Sequence, residues 1–309
     1  MNMKNVLITG PTGEVGLALV NELLQRDIRV HVIVRPNSQR SDRLPSHKLL
    51  SVITCSLSEL EKLSENTKLQ NEEIDTFYHL GWDHSRDHYN VDAHYKNIEY
   101  TLSAVRLAKA LNITTFIGAG SQAEYGRVEG KLSPGTPAFP DTAYGMAKLC
   151  AGQMSRLLCK QLQIRHIWPR ILSVYGPGDA ESTMVISTIR KLLNKEKPSL
   201  TKGDQEWDFL FSEDCAKALV LIGEKGKDGA VYCIGSGKTY PLRYYIEQIR
   251  DTIDPALPLG IGDIPYRDQQ VMYLCADITS LNKDTGFEPQ ISFQEGIRRT
   301  IEWCRNYAA

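Results

Sequence analysis

The sequence predicts an α/β protein: a doubly wound parallel sheet with helices on both faces, followed by a smaller, irregular C-terminal lobe. Three observations carry this prediction. Continuous apolar runs of strand length alternate with longer segments of helical spacing as far as Gly176. A glycine-rich turn joins the first run to the first helix. Beyond about Gly176 the alternation gives way to turn-rich sequence. We therefore expect one domain over 1–176 and a lobe over 177–309, with some later segments returning to the sheet.

Each element has its own signal. "NVLIT" (5–9) is a short continuous apolar run, as a strand buried on both faces requires. "GLALVNELLQR" repeats its apolar residues at helical intervals. "IRVHVIV" (28–34) reads as a second strand, "LLSVITC" (49–55) as a weaker third, and "IDTFYHL" (74–80) as a fourth. "HYKNIEYTLSAVRLAKALN" is a helix leading to a fifth strand, "ITTFIGAG" (113–120). "TAYGMAKLCAGQMSRLLCKQL" is a second long helix, leading to a sixth strand, "IRHIWPRILSVYG" (164–176). Right-handed crossovers then give the doubly wound order. In the lobe, "PGD", "KEKPS", "GSGKTYP" and "DPALPLGIGDIPYRD" punctuate short helices. "SEDCAKALVLIGEKG" reads as a helix returning to the main sheet. "SFQEGIRRTIEWCRNY" reads as the closing helix, with Ser292 as N-cap and Glu295 at the capping-box position.

Composition excludes several classes. The 309 residues carry a formal net charge of -1, so no basic face marks a nucleic-acid partner. No apolar run is long enough to span a membrane, and "MNMKNVLITG" enters a strand without a leader-like segment. Seven cysteines, at 55, 150, 159, 215, 233, 275 and 304, form no CxxC pair. Free thiols in a reducing cytosol, and so a cytoplasmic protein, are expected.

"ITGPTGEVG" sets Gly10, Gly13 and Gly16 between a strand and a helix. Small residues at a helix N-terminus let backbone N–H groups reach a pyrophosphate. Thr12, Glu14 and Val15 lie on the same turn. No GK[ST] follows, so this is a dinucleotide loop of Rossmann type rather than a nucleoside-triphosphate loop. At the end of the second strand, where an acid would bind the adenosine ribose hydroxyls, stands Arg35. A guanidinium there suits a 2′-phosphate, so NADP(H) is favoured, with NAD(H) as the alternative.

Tyr144 and Lys148 lie one helical turn apart and share a face, and Ser121 ends the fifth strand, where ligands of open α/β sheets sit. These three are the expected catalytic residues. A phenol exchanges protons near neutrality only if its pKa falls well below about 10. The Lys148 ammonium and an oxidised nicotinamide, both positive, would lower it. Tyr144 would then move a proton at a sugar oxygen while hydride moves at carbon, and Ser121 would hold that oxygen.

With these residues in place, the chain resembles an extended short-chain dehydrogenase/reductase of the nucleotide-sugar epimerase/dehydratase/reductase group, over nearly its whole length. "TGPTGEVG" is similar to TGxxGxxG, and "FYHLGW" (77–82) to the family's H-L-A-A turn. Asn97 matches the helix Asn, "GSQAEYG" resembles S-S-x-x-V-Y-G, and "AYGMAK" is Y-x-x-x-K. "PRILSVYGPGD" (169–179) resembles P-R-x-x-N-V-Y-G-P-G, and "GDQEWDFLFSED" (203–214) G-x-x-x-R-D-F-x-x-V-x-D. The resemblance implies that Leu80, Gly81, Asn97 and Ile171 line the dinucleotide beside Tyr144 and Lys148. It also implies a nucleotide-sugar substrate near Ser121 and Gln122.

Four departures narrow that reading. Relatives that dehydrate carry Asp-Glu where this chain has Gln122 and Ala123. Glu124 is one position along and, in the period of an extended segment, faces the other way. Ser173 stands for the Asn common in epimerases, and Trp207 for an Arg that helps bind the nucleotide. The Asp usual after strand three is missing from "TCSLSEL". What remains is ketone/carbinol interconversion, and the C-terminal part is similar to 4-keto-sugar reductases of the CDP-abequose-synthase type. That likeness makes Arg267 the diphosphate-binding arginine. Trp207 is a candidate to stack on the base and Trp82 to floor the sugar pocket, with a core or lobe-interface aromatic as the alternative for each. "WDHSRDHYNVDAHY" is expected to be a loop on the substrate side rather than a metal site. "RPNSQRSDR" is expected to be a loop near the adenosine phosphate. Homodimerisation through the two long helices, at about 90–111 and 142–162, is implied by the family alone.

Overall fold

The computed structural model describes residues 3–84, 87–268 and 270–307. The first half runs β1 (Asn5–Thr9), α1 (Glu14–Gln25), β2 (Arg29–Val34), β3 (Leu50–Thr54), α2 (Thr67–Gln70), β4 (Thr76–His79) and α3 (Val91–Ala110). Then come β5 (Thr115–Gly118), β6 (Gly120–Ser121), α4 (Ala143–Leu162), β7 (Arg165–Ile171) and β8 (Ser173–Tyr175). The second half adds α5 (Met184–Leu193), β9 (Ser199–Leu200), β10 (Glu206–Trp207), β11 (Phe209–Phe211), α6 (Ser212–Lys225) and β12 (Val231–Ile234). It ends with β13 (Tyr240–Pro241), α7 (Leu242–Ile253), β14 (Gly260–Ile261), β15 (Tyr273–Leu274), α8 (Thr279–Thr285) and α9 (Phe293–Asn306).

The main sheet is ordered β12-β7-β5-β4-β1-β2-β3, with β6 also paired to β7. Its pairings are all parallel. The order reverses between β1 and β4, which opens the ligand crevice at their carboxyl ends. The apolar runs that predicted strands are buried for the same reason that they are continuous: helices cover both faces. On one face α1 (Leu19, Val20, Leu23) and α6 (Ala216, Leu219, Val220) meet Val6, Ile8 and Val30. On the other, α3 (Ala104, Val105, Ala108) and Cys159 of α4 meet Leu7, Phe77 and Phe116. β3 is the weaker strand because it is an edge, with Val52 exposed. The C-terminal lobe has a core of its own, where α5, α7 and α9 bring together Ile186, Ile189, Ile249, Ile297 and Ile301.

The structure adds to the sequence reading in four places. β12 forms the last strand of the main sheet, although it lies beyond residue 176 and gave no strand signal; four residues, Val231–Ile234, suffice because β7 supplies the pairing. α6 packs on α1, so the 176 boundary is crossed twice by chain that belongs to the first domain. The expected sixth strand divides at Leu172: β7 stays in the main sheet while β8 leaves to pair with β11. Between β3 and β4 a 3₁₀ segment, Leu57–Glu65, buries Leu60 and Leu63. Helix starts follow the local rules: Asn90, Thr142, Thr183 and Ser292 cap α3, α4, α5 and α9 with their side chains. The Glu295 carboxylate, expected to complete a capping box, binds Arg298 and Arg299 instead. Among the described residues no helix is long and apolar enough to cross a membrane, and the seven cysteines are free thiols.

Candidate active site

The site begins at the turn after β1. Gly10 has φ 72°, and a Cβ there would lie 2.7 Å from the Gly81 nitrogen. A Cβ on Gly16 would collide with the Gly10 carbonyl, so its absence lets α1 close onto the turn. Gly13 is different. A Cβ there would meet only the Gly10 oxygen, at 3.8 Å. Gly13 is also the N-cap of α1 and offers no side-chain cap. The protein itself has no packing reason for glycine at this position, whereas a phosphate approaching the helix N-terminus does. Thr12 and Val15 are half-buried beside it. Glu14, in the first turn, has a buried Oε1 without a hydrogen-bond partner. Burial, with Asp179 adding to it, pushes its carboxyl well above the ordinary value, towards a neutral acid. Arg35 follows β2 directly and is exposed.

Beneath this turn runs a polar relay. The Gly81 N–H donates to Thr9 Oγ1 at 3.1 Å, and Thr9 Oγ1 lies 2.9 Å from His79 Nδ1. His79 Nε2 lies 3.5 Å from Thr101 Oγ1, which donates to the Asn97 carbonyl at 2.9 Å. A neutral His79 with its proton on Nε2 satisfies the chain. Burial accordingly lowers His79 to about 3, with Lys148 adding to the effect. The Asn97 carboxamide, expected at the dinucleotide, is fully used on backbone: it accepts from the Asp83 nitrogen at 2.7 Å and donates to the Asp83 and Ala93 carbonyls. Its effect on a cofactor therefore runs through the Leu80–Asp83 segment it holds.

The three residues expected to be catalytic, Ser121, Tyr144 and Lys148, come together at the carboxyl ends of β6 and β7. Ser121 pairs in register with Ile171. It also caps the 3₁₀ turn Gln122–Tyr125. Gly145, in the first turn of α4, has no side chain to hold α4 off the Ala123 carbonyl. This contact sets Tyr144 beside Ser121, whose hydroxyl hydrogen-bonds the phenol. The Tyr144 ring is boxed in: stacked on His88 at 4.8 Å, and edge-on to His94 at 5.4 Å and Trp82 at 6.0 Å. Trp82 Nε1 donates to His94 Nδ1 at 3.1 Å. Lys148 Nζ donates to the Ala119 carbonyl at 2.7 Å and lies 3.9 Å from the Trp82 ring centroid. Ser85 and Arg86 of the expected substrate-side loop lie outside the described residues. Its remainder brings His88 onto the tyrosine, and among the described residues no cluster of three metal-ligating groups occurs.

Two expectations need correction. The lowering of Tyr144 expected from Lys148 is absent in the protein alone: burial pushes the phenol up to about 12, with the Ser121 hydrogen bond opposing and Glu124 reinforcing. Lys148 is itself lowered to about 7 by burial, and its ammonium sits over Trp82, 5.8 Å from the Tyr144 ring centroid. Glu124, expected on an extended segment facing away, lies in the 3₁₀ turn and is fully buried, bonded to Arg170 Nε at 2.6 Å. Gln122 and Ala123 remain neutral neighbours of Ser121.

On the lobe side, Trp207 Nε1 donates to Ser173 Oγ at 2.7 Å, so these two expected substrate residues meet. Trp207 is also anchored through its carbonyl by Tyr245. Arg267 is exposed on the segment between β14 and β15. With Lys148 over its ring, Trp82 has less face to offer a sugar than expected. The sequence reading gave no role in this site to His79, His88, His94 or Arg170 and read Glu124 only as facing away; the histidine of "FYHLGW" was visible as a motif letter but not as a link in a relay.

Known proteins match this architecture. CDP-abequose synthase of Salmonella muenchen is 22% identical over 303 residues, which cover 96% of this chain and 97% of the relative. UDP-N-acetylglucosamine 4-epimerase from Methanobrevibacter ruminantium M1 has the same fold, with TM-score 0.88 at 24% identity over 99% of both chains. RMD from Pseudomonas aeruginosa, solved with NADPH, gives 0.81 at 20% identity over 98% of this chain and 100% of its own. The model of the NAD dependent epimerase/dehydratase family matches residues 6–235, and the chain is an enzyme that belongs to that family.

Proposed function

We propose that this enzyme reduces the 4-keto group of a 6-deoxy sugar carried on a nucleotide, using NADP(H). The observation that carries the reading is the reacting edge itself: a hydroxyl, a phenol and a lysine gathered with no carboxylate at Gln122 or Ala123. A dehydratase needs an acid and a base there, and Glu124 is bound to Arg170 instead. A phenol at about 12 is protonated at neutral pH, the form a donor must start from, and it would be lowered by a nicotinamide that becomes positive as hydride leaves, when the proton has to move. When bound, the reduced nicotinamide supplies the hydride. As the carbonyl carbon accepts it, the Tyr144 hydroxyl gives its proton to the oxygen, and Ser121 holds that oxygen in line. Lys148 holds the nicotinamide ribose. Gly10, Gly13 and Gly16 admit the pyrophosphate at the N-terminus of α1, where Glu14 stands in the first turn. Arg35 pairs with the 2′-phosphate. Ser173, Trp207 and Arg267 face the nucleotide, the Trp207 ring stacking on the base.

A second reading has support. The fold shared with a UDP-N-acetylglucosamine 4-epimerase favours a 4-epimerase that keeps its dinucleotide bound. Absorbance at 340 nm separates the two, with NADPH or NADH and a panel of CDP-, dTDP- and UDP-linked 4-keto-6-deoxy sugars. Stoichiometric NADPH loss is expected. A nucleotide hexose changing configuration without net loss would establish the epimerase instead. Arg35→Ala should weaken NADPH about tenfold and leave NADH unchanged; equal weakening of both would remove the NADP preference. A non-catalytic regulator that has kept the fold requires a Tyr144→Phe variant with full biological effect. Homodimer formation through α3 and α4 is supported by exposed Tyr95, Met146, Met154 and Leu157; a sedimentation mass of one chain would discard it.

A further inference from the structure

Glu124 is a fully buried carboxylate in the turn that carries Ser121. Its Oε1 accepts from the Ser121 backbone N–H at 2.9 Å and from Trp168 Nε1 at 2.9 Å. Its Oε2 accepts from Arg170 Nε at 2.6 Å. Ser121 completes the box by accepting from the Ala123 N–H at 3.2 Å through its own Oγ. With a lone pair engaged there, the serine's O–H is left to point outward, where Tyr144 stands.

The anchors are built into the sheet. Trp168 and Arg170 both lie on β7. The Trp168 ring fits only because Gly118, Gly120 and Gly152 lack side chains: a Cβ on Gly152 would lie 2.6 Å from the ring, and one on Gly120 2.5 Å from both Trp168 Nε1 and Glu124 Oε1. Arg170 is sandwiched between Glu124 and the Tyr125 ring, 4.3 Å from its centroid. The charged and titratable groups around Glu124 are Arg170 and neutral His166 on β7, Tyr125 on its own turn, Cys233 on β12, and Tyr144, Lys148 and Arg156 on α4. No role in the reaction as described above requires this arrangement.

We propose that Glu124 is a positioning residue of the reaction: fixed by Trp168 and Arg170, it holds the Ser121 backbone, and with it the serine hydroxyl, in register with Tyr144. This rests on the reading that Ser121, Tyr144 and Lys148 act on substrate. The carboxylate's charge acts in one direction on both Tyr144 and Lys148. It favours the ammonium of Lys148 and the protonated phenol of Tyr144, the forms a proton-donating site needs.

The test uses the full-length protein with 13Cε-labelled lysine, the Lys148 resonance being assigned with Lys148→Arg. In Glu124→Gln the Lys148 titration midpoint should fall by about one pH unit. With NADPH and dTDP-4-keto-6-deoxyglucose as probe, kcat should fall about 100-fold while KM stays within threefold. Glu124→Gln leaves Arg170 a buried cation without its partner, which endangers folding. The double variant E124Q/R170Q removes both charges, whose effects on Lys148 oppose each other, so its midpoint should fall less than in Glu124→Gln while kcat falls as far. A folded variant of either kind that keeps the wild-type Lys148 midpoint and kcat overturns the proposal. Should the wild type leave the probe unreduced, the reductase reading suffers, and the Lys148 midpoint alone still decides for or against Glu124.

Discussion

The dinucleotide edge and the catalytic edge lie side by side along one sheet, yet they are built in opposite ways. The first works by omission. Gly10, Gly13 and Gly16 matter because side chains are missing, and their partners lie within a few residues or, for Gly10, on the adjoining Leu80–Gly81 segment. The second works by saturation. Around Ser121, Tyr144 and Lys148 the side chains of Ser121, Glu124, Lys148, Trp168 and Arg170 are each engaged with protein, and Glu124 finds its partners Trp168 and Arg170 far along the chain. The difference teaches where each edge should be vulnerable. The dinucleotide edge should fail by steric intrusion, the catalytic edge by loss of a single polar atom.

The largest effect belongs to the catalytic edge. Tyr144→Phe deletes one oxygen and leaves the ring packed against His88, His94 and Trp82. Turnover should fall about 10³-fold, within the range for removing a positioned acid. Dinucleotide affinity, measured by fluorescence titration, should stay within about threefold because the ring's packing is kept. A variant that turns over at the wild-type rate would show that this edge does not donate its proton from Tyr144.

At the dinucleotide edge two glycines can be set against each other. Gly16→Ala forces a Cβ into the Gly10 carbonyl and should destabilise the fold by about 3 kcal/mol, as overpacking does. Gly13→Ala meets open space and should cost only about 1 kcal/mol, the usual loss at an N-cap. It should nevertheless weaken the dinucleotide at least tenfold, since the added methyl stands where the pyrophosphate approaches. Thermal unfolding paired with a binding titration reads both. If Gly13→Ala binds as tightly as the wild type, the omission is accidental there.

The same contrast explains what could be read from the chain. β1, the glycine turn and α1 were legible because strand burial, turn and helix are each encoded locally. Ser121, Tyr144 and Lys148 were legible as types at a spacing. Their electrostatics were not. A lysine four residues from a tyrosine suggested that Lys148 lowers the phenol, whereas in the protein alone burial, reinforced by Glu124 on another element, pushes it up. β12 escaped because four residues carry no periodicity, and only pairing with β7 makes them a strand. The split of the sixth strand at Leu172 escaped for a related reason, since β11, which draws β8 away, lies far along the chain.

The smallest expected effect tests what the two edges share: each stands on a buried neutral histidine. His79 lies under the dinucleotide turn and is lowered to about 3; His166 lies under the catalytic edge and is lowered to about 4, in both cases by burial first. His166 Nε2 contacts Ser155 Oγ at 2.9 Å, and its Nδ1 is buried without a partner. The unfolded chain takes up a proton near the ordinary value of 6.5, while the folded chain refuses it until the lowered value is reached. Stability is therefore fully present above about pH 6.5 and lost as the pH falls towards 4, because the unfolded state binds more protons there. By pH 5 each histidine should have removed roughly 2 kcal/mol. His166→Gln keeps an amide donor for Ser155 but cannot titrate. Its unfolding temperature should depend less steeply on pH between 6.5 and 4 than that of the wild type, and by the share of one proton. His79→Gln should flatten the same window and, by breaking the relay to Gly81, also weaken the dinucleotide. If instead His166→Gln weakened the dinucleotide and His79→Gln did not, the two edges would not be separately supported, and the contrast between them would have to be abandoned.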